Sequence, residues 1–415
     1  MTHEQRLAAY AELTVRVALN VQAGQRLLVV GPLMNGGVSL DAAPLVRHIT
    51  ASAYRAGAAL VEAIWGDEGV QLARFRHAPR DTFGNYSRWL PEALLQHAEA
   101  GDAVLSLYCN DPDLLQHEPA DLAGALQQAT SRSVMGFREL ISRNQTNWAV
   151  IAAAEAAWAA KVFPEVPPEE QRDRLWDAIA GLCRLDRPDP MAAWREHLAA
   201  LSARSDQLNR KHYSALHFTG PGTDLTVGLP DRHMWVSGAS RTRSGITFVP
   251  NLPTEEVFTI ADRARVHGTV RATKPLNYAG TLIEDFTLRF EAGHVVHLDA
   301  ARGQAVLQQL VDTDEAAGRL GEVALVPQTS PIAQSGRLFY NTLFDENAAS
   351  HVALGTAYKF TLEGADTMTD EQFLHAGGNR SAVHVDFMIG SSALDVDGIL
   401  TGGQAEPLMR RGDWV

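Results

Sequence analysis

A histidine and an aspartate lie two residues apart in the segment SAVHVDFMIG, which spans residues 381–390. If the segment is a β-strand, its side chains alternate between faces, so His384 and Asp386 point the same way, about 7 Å apart along the backbone. Imidazole nitrogens and carboxylate oxygens are good ligands for a divalent ion such as zinc. A solvated strand face has the same pattern, because charged residues normally lie outside. The pair is therefore a candidate metal site that needs further ligands.

Acidic residues in two other segments are candidates for those ligands. Glu322, in LGEVALVP, leads into an apolar run that looks buried on both faces, and a carboxylate in that position needs a partner. The segment PNLPTEEVFT supplies Glu255 and Glu256, which face opposite ways along an extended chain. Only one of these two can then line a site, unless the backbone bulges. Taken alone, the two acids are equally typical of a charged turn.

The segment FDENAASHVALGTAY places a glutamate, a histidine and a tyrosine among small apolar residues. Asp345 is a plausible N-cap and Gly355 a plausible C-terminal stop, which together predict a short helix over 348–354.

In that helix Glu346 lies in the first turn, where a negative charge suits the helix dipole. His351 then lies about 140° around the helix from it. Tyr358 falls past the helix, on the next strand. This geometry permits a shared site without requiring one.

The composition of the chain excludes several classes of protein. Its 415 residues exceed what one hydrophobic core usually supports, which favours two domains over three. With 36 Lys and Arg against 49 Asp and Glu, the net charge of -13 argues against nucleic acid as a partner. The two cysteines exclude a disulfide framework and a Cys-rich zinc site, and they fit a reducing compartment. Neither a signal peptide nor an apolar run of roughly 18 residues is present, so we expect a soluble, cytoplasmic protein without a membrane partner.

Apolar runs alternate with helical patterns in the first half of the chain. The runs at 25–31, 59–65, 103–109 and 147–153 predict the strands of a parallel sheet covered by helices. The glycine-rich segment GPLMNGGVS follows the first of these runs, but it lacks the motif of a P-loop or a dinucleotide site and favours a plain turn. A nucleotide- or nicotinamide-dependent enzyme built on this sheet is therefore an alternative whose motif is missing.

The second half changes in character after a helical stretch that ends near residue 207. Short runs rich in Val, Thr and Phe are separated by Gly, Pro and Asp, which predicts mostly antiparallel strands with a few helices. We therefore predict an α/β N-terminal domain with a mostly parallel sheet over 1–200. An α+β C-terminal domain with mostly antiparallel strands, over 201–415, would carry the metal site.

Taken together, the motifs NLPTEEVFT, LGEVALVP, SGRLFYNTLFDENAASHVALGTAY and HVDFMIG resemble the thermophilic metallo-aminopeptidase family, the group of aminopeptidases T and S. The segment LHFTGPGTDLTVGL extends the similarity, which runs through most of the chain. The first half matches mainly in pattern.

The resemblance implies a peptidase that uses two adjacent divalent ions to activate a water, and it implies a homodimer. Motif by motif it implies these metal ligands: Glu256, Glu322, Glu346, His351, His384 and Asp386. Four carboxylates and two neutral imidazoles balance the charge of two divalent ions, which would make the buried acids tolerable. A thiolate-free, oxygen-rich set suits Zn, Co or Mn, and the sequence does not choose among them.

The resemblance also places Tyr358 near the metals, where it could donate a hydrogen bond to the developing oxyanion or simply pack beside the site. We expect Glu255 to be the general base, with Glu346 as the alternative. The expected substrates are peptides, with broad specificity and a preference for apolar N-terminal residues. A metal-binding protein without hydrolytic activity is a further alternative.

Overall fold

The computed structural model describes residues 1–278 and 281–415. The α-helices, in chain order, are α1 (His3–Leu13), α2 (Ala43–Arg55), α3 (Glu68–His77), α4 (Trp89–Glu99), α5 (Ala120–Ser133), α6 (Met135–Ser142), α7 (Ala156–Val162), α8 (Pro168–Leu182), α9 (Pro190–Lys211), α10 (Gln304–Val311), α11 (Pro331–Ser335), α12 (Thr342–Asp345) and α13 (Asp370–His375). A π-helical turn covers Thr14–Ala18, and 3-10 turns cover Leu33–Asn35, Leu40–Ala42, Arg80–Thr82, Glu346–Ala348, Lys359–Thr361 and Ala365–Thr367. Within the described ranges, no helix is long and apolar enough to cross a membrane.

The strands, in chain order, are β1 (Arg26–Val30), β2 (Val38–Ser39), β3 (Leu60–Ala63), β4 (Trp65–Gly66), β5 (Ala103–Tyr108), β6 (Trp148–Ala152), β7 (Ala215–Gly220), β8 (Thr223–Gly228), β9 (Val236–Ser237), β10 (Ser240–Arg241), β11 (Thr247–Phe248), β12 (Val257–Ile260), β13 (Val266–Arg271), β14 (Leu276–Tyr278), β15 (Thr281–Glu291), β16 (His294–Arg302), β17 (Leu320–Leu325), β18 (His351–Gly355), β19 (His384–Met388), β20 (Asp395–Ile399), β21 (Ala405–Arg410) and β22 (Asp413–Trp414). The chain divides into two compact units. The first comprises Met1–His197, Ala239–Pro253 and Leu338–Leu343, and the second comprises Leu198–Gly238, Thr254–Arg337 and Phe344–Val415.

The first unit contains the predicted parallel sheet. Its strand order is β3–β1–β5–β6, and every neighbouring pair runs parallel. The β1 side chains from Leu27 to Val30 are all buried, as expected of a strand covered on both faces. The glycine-rich segment after β1 forms a tight turn, in which a Cβ on Gly31 would come within 2.2 Å of the Gly37 carbonyl oxygen. Backbone packing therefore accounts for glycine at this position.

The second unit contains two antiparallel sheets. The larger has the order β14–β15–β13–β8–β7–β20–β21–β22, and β16 also pairs with β15. The smaller, which we call the site sheet, has the order β19–β18–β17–β12–β9. Apolar side chains from both sheets form one buried cluster, which includes Phe218, Phe286, Val323, Val352 and Phe387. The predicted fold class, a parallel sheet in the N-terminal region and antiparallel sheets in the C-terminal region, is thus confirmed.

Candidate metal centre

One face of the site sheet collects most of the predicted ligands. Residues directly opposite each other on neighbouring antiparallel strands share a face. Glu322 of β17 lies opposite Ala353 of β18, which lies opposite Asp386 of β19. Ala324 lies opposite His351 in the same way. The small alanine side chains leave room between the acidic and imidazole groups.

The other face of the site sheet explains why these strands form. Val323, Val352 and Phe387 alternate with the polar residues and are almost fully buried. They belong to the apolar cluster shared with the larger sheet. Burial of this face fixes the register, because a shift of one residue would move the polar side chains into the core.

The helix predicted over 348–354 is wrong. The helix α12 ends at Asp345, a 3-10 turn covers Glu346–Ala348, and His351–Gly355 forms β18. Pairing with β17 on one side and β19 on the other supplies the hydrogen bonds of this segment and overrides its local helix signals. His351 therefore begins a central strand and shares no helix with Glu346.

Gly355 ends this strand. The reason for a glycine here differs from the helix stop that the sequence predicts. Its φ is 101°, and a Cβ would lie 2.1 Å from the Val383 carbonyl oxygen, so the close approach of the chain next to His384 requires glycine. Tyr358 was predicted on a following strand. It is extended, but it immediately precedes the 3-10 turn at Lys359–Thr361.

Two groups of potential ligand atoms form on the polar face, and they share one residue. Glu256, Glu322 and His351 make the first group, and Glu322, His384 and Asp386 make the second. Within each group all the ligand atoms lie within 4.8 Å of one another.

The distances place Glu322 between the two groups. His351 Nε2 lies 3.2 Å from Glu256 Oε2 and 3.8 Å from Glu322 Oε1. His384 Nε2 lies 3.8 Å from Glu322 Oε2 and 3.6 Å from Asp386 Oδ1. The two oxygens of Glu322 thus face different imidazoles.

Backbone carbonyl groups orient both imidazoles. His351 Nδ1 lies 3.1 Å from the Ala349 carbonyl oxygen, and His384 Nδ1 lies 2.8 Å from that of Thr356. With the proton on Nδ1, each ring donates to its carbonyl and leaves the lone pair of Nε2 available to a metal ion. The Nε2 atoms are also the atoms that face the carboxylates.

The electrostatics of the cluster call for a positive partner. Burial raises the pKa of Glu322 and of Glu346, and neighbouring carboxylates raise both further. Burial favours neutral His351, but its contacts with Glu256 and Glu322 outweigh this and raise its pKa. Asp386 Oδ1 is buried and accepts no hydrogen bond from the described residues. These residues fit divalent metal, because a cation would neutralise the acids and interact with the buried Asp386 Oδ1.

Glu346 and Glu255 lie beside these groups without belonging to either. Burial raises the pKa of Glu346, and the charges of Glu256 and Asp386 raise it further. Glu255 is buried, and its main-chain N–H donates to Asn347 Oδ1 at 2.7 Å. Sequence reasoning missed Asn347. The available signal was a polar side chain between Glu346 and a pair of alanines.

Tyr358 stands at the edge of the site. Its ring lies 4.7 Å from the His384 ring and stacks on Phe360 at 5.2 Å. Burial raises its pKa well above the ordinary value, and the charges of Glu322 and Asp386 raise it further. The hydroxyl therefore stays protonated and able to donate a hydrogen bond.

Comparisons with known proteins find one family and its members along nearly the whole chain. Residues 3–414 match the family described as thermophilic metalloprotease (M29). The chain is 45% identical over 412 residues to aminopeptidase 2 of Geobacillus stearothermophilus, covering 99% of this chain and 98% of that protein. It is also 45% identical over 412 residues to aminopeptidase T of Thermus thermophilus, covering 99% of each. The solved structure of wild-type AmpT from Thermus thermophilus superimposes with a TM-score of 0.93 at 44% identity, covering 100% of both chains.

Proposed function

Because the chain belongs to the thermophilic metalloprotease (M29) family, we propose that it removes N-terminal residues from peptides at the polar face of the site sheet. The observation that carries this proposal is the pair of ligand groups joined through Glu322. The names of the matched relatives, all aminopeptidases, support the same activity.

We propose that the protein binds two divalent ions (Zn, Co or Mn), one at each of the two groups of ligand atoms. Glu256 and His351 would hold the first, His384 and Asp386 would hold the second, and Glu322, which belongs to both groups, would contribute to each. Glu346 would be a further ligand. When bound, the ions would supply Lewis-acid polarisation of the scissile carbonyl and a water of lowered pKa.

The side chains around the ions would carry the proton and position the substrate. Glu255 would accept the proton of the attacking water and pass it to the leaving amine, with Glu346 as the alternative base. The protonated hydroxyl of Tyr358 would donate to the oxygen that gains charge. We expect broad specificity with a preference for apolar N-terminal residues.

Metal analysis combined with activity on a panel of aminoacyl anilides tests the proposal. We expect bound divalent metal and metal-dependent release of leucine from its anilide. Glu322→Gln should lose metal from both sites and reduce kcat by roughly 100-fold or more, because it removes the shared charge. Glu315→Gln makes the same chemical change at an exposed acid and should leave the metal content and kcat unchanged. Full activity in excess chelator, after verified metal loss, would refute the proposal.

A nucleotide-dependent reaction at the parallel sheet is the weaker candidate. Glu68 accepts a hydrogen bond from the Asp111 main-chain N–H at 2.9 Å, close to where β5 ends. Burial raises the pKa of Glu68 to about 7, and the charges of Glu155 and Asp111 add to this. Acids at this edge of the sheet would repel phosphate.

We also propose that the protein is a cytoplasmic homodimer. The family resemblance supports the dimer, and two buried thiols, Cys109 and Cys183, fit a reducing compartment. Light scattering of the purified protein would give the mass of the assembly. A monomer mass across the working concentration range would exclude the dimer.

A further inference from the structure

Three aromatic side chains form a continuous surface beside the candidate metal centre. Tyr358 stacks on Phe360, with ring centroids 5.2 Å apart and planes 17° from parallel. Phe360 meets Phe258 edge to face at 6.1 Å. All three are partly exposed. We call them the aromatic wall.

The aromatic wall runs along the candidate centre from one ligand group to the other. Phe258 lies opposite Ala324 on β17, and Ala324 lies opposite His351, so Phe258 is on the polar face of the site sheet. Phe258 also follows Glu256 by two residues. At the other end of the wall, the Tyr358 ring lies 4.7 Å from the ring of His384.

Neighbouring residues fix the loop that carries Tyr358 and Phe360. Leu362, two residues after Phe360, is buried in a small apolar cluster with Ile260, Ala357, Ala365 and Phe373. The Thr361 main-chain N–H donates to the Tyr358 carbonyl oxygen at 3.1 Å, and the Thr361 hydroxyl donates to the same oxygen at 2.6 Å. The aromatic residues therefore present a surface that is already formed before a ligand binds.

We propose that the aromatic wall binds the apolar side chain of the substrate's N-terminal residue, an inference that rests on the proposed aminopeptidase function. Partly exposed aromatic faces beside a set of carboxylates favour an apolar group and disfavour an acidic one. The wall would thereby select Leu and Phe over Ala, Gly and acidic residues.

Kinetics on aminoacyl anilides that share one leaving group test this inference. For Phe360→Ala we expect kcat/KM for the Leu and Phe anilides to fall about 10- to 100-fold, since removing apolar contact in a pocket typically costs that much. The Ala anilide should change by less than about threefold, because its side chain buries little area. Metal content should stay at the wild-type level.

Two variants serve as controls. Phe360→Leu keeps an apolar side chain at the position and should restore most of the preference for the Leu anilide. Val296→Ala removes a half-exposed apolar side chain from β16 and should leave selectivity unchanged. Melting temperatures would identify a variant that is merely unfolded, in which case Phe258→Ala provides the test and should lower kcat/KM for the Leu anilide more than for the Ala anilide.

Several outcomes would overturn the inference. An equal loss on the Leu and Ala anilides in a folded, metal-loaded Phe360→Ala enzyme would show that the wall does not recognise the N-terminal side chain. A selectivity change confined to the second residue of dipeptide substrates would assign the wall to the leaving side. Unchanged selectivity would defeat this inference alone, whereas failure of the metal-loaded wild type on every anilide and peptide would defeat the proposed function as well.

Discussion

At the scale of single residues, charge and orientation decide what each polar group can contribute. Glu322 was recognisable because it leads into an apolar run, and His384 and Asp386 because of their spacing in a strand. Phe258 and Phe360 gave no comparable signal, since aromatic residues in short apolar runs usually form core. Only the fold reveals that these two side chains lie beside the polar face.

Tyr358 offers a prediction at this scale. Its raised pKa keeps the hydroxyl protonated, so Tyr358→Phe removes a donor and leaves the ring contact with His384 in place. We expect kcat to fall about 100-fold, the effect of losing one oxyanion donor. Metal content measured by atomic absorption should not change. Wild-type turnover in this variant would limit the tyrosine to packing.

At the scale of secondary-structure elements, strand pairing supplied what sequence patterns could not. The apolar runs of β1, β3, β5 and β6 were predicted because each is a short uninterrupted run. The segment containing β18 was predicted as a helix, because its capping signals are local whereas its hydrogen-bond partners are remote in sequence. The sequence alone does not show that His351 lies close to Glu322, because this proximity depends on the register of β18 against β17.

A hydrogen bond connects two loops of the candidate centre. The turn that carries Glu346 is tied to the loop that carries Glu255 by the hydrogen bond from the Glu255 N–H to Asn347 Oδ1. Asn347→Ala leaves that buried N–H without its acceptor, which should cost about 1–3 kcal/mol of stability. Displacement of Glu255 should lower kcat by roughly 10- to 100-fold.

Metal content distinguishes the two effects that this variant could have. If Asn347 acts by positioning Glu255, the variant should retain its metal and bind substrate with little change in KM. Loss of metal in parallel with kcat would show instead that the turn supports the ligands. Denaturant unfolding of the same samples measures how much stability the Asn347→Ala variant has lost.

At the scale of the whole molecule, the family prediction from the C-terminal motifs is confirmed across the chain, including the half that matched only in pattern. Which segments make up each unit was harder to predict from the sequence. Ala239–Pro253 belongs to the first unit although it lies far along the chain, because the Val150 N–H donates to the Pro250 carbonyl oxygen and the Val249 N–H to that of Ala18. Backbone contacts of this kind leave no mark on composition or periodicity.

We expect the protein to be less stable without its metal than with it. Removing the ions leaves Glu322, Glu346 and their neighbours facing one another, so chelation should lower the melting temperature by roughly 5–10 °C if metal is present well above its dissociation constant.

The folded-state pKa values of Glu322 and Glu346 are raised above the ordinary 4.5, and that of His351 is raised above 6.5. The folded metal-free protein therefore binds more protons than the unfolded chain above pH 4.5, and its stability should fall as pH rises. Bound metal removes this penalty, so the melting temperatures of the metal-loaded and chelated forms, measured by calorimetry from pH 5 to pH 9, should diverge as pH increases. A gap that stays constant or narrows over this range would show that the acids do not share a cation.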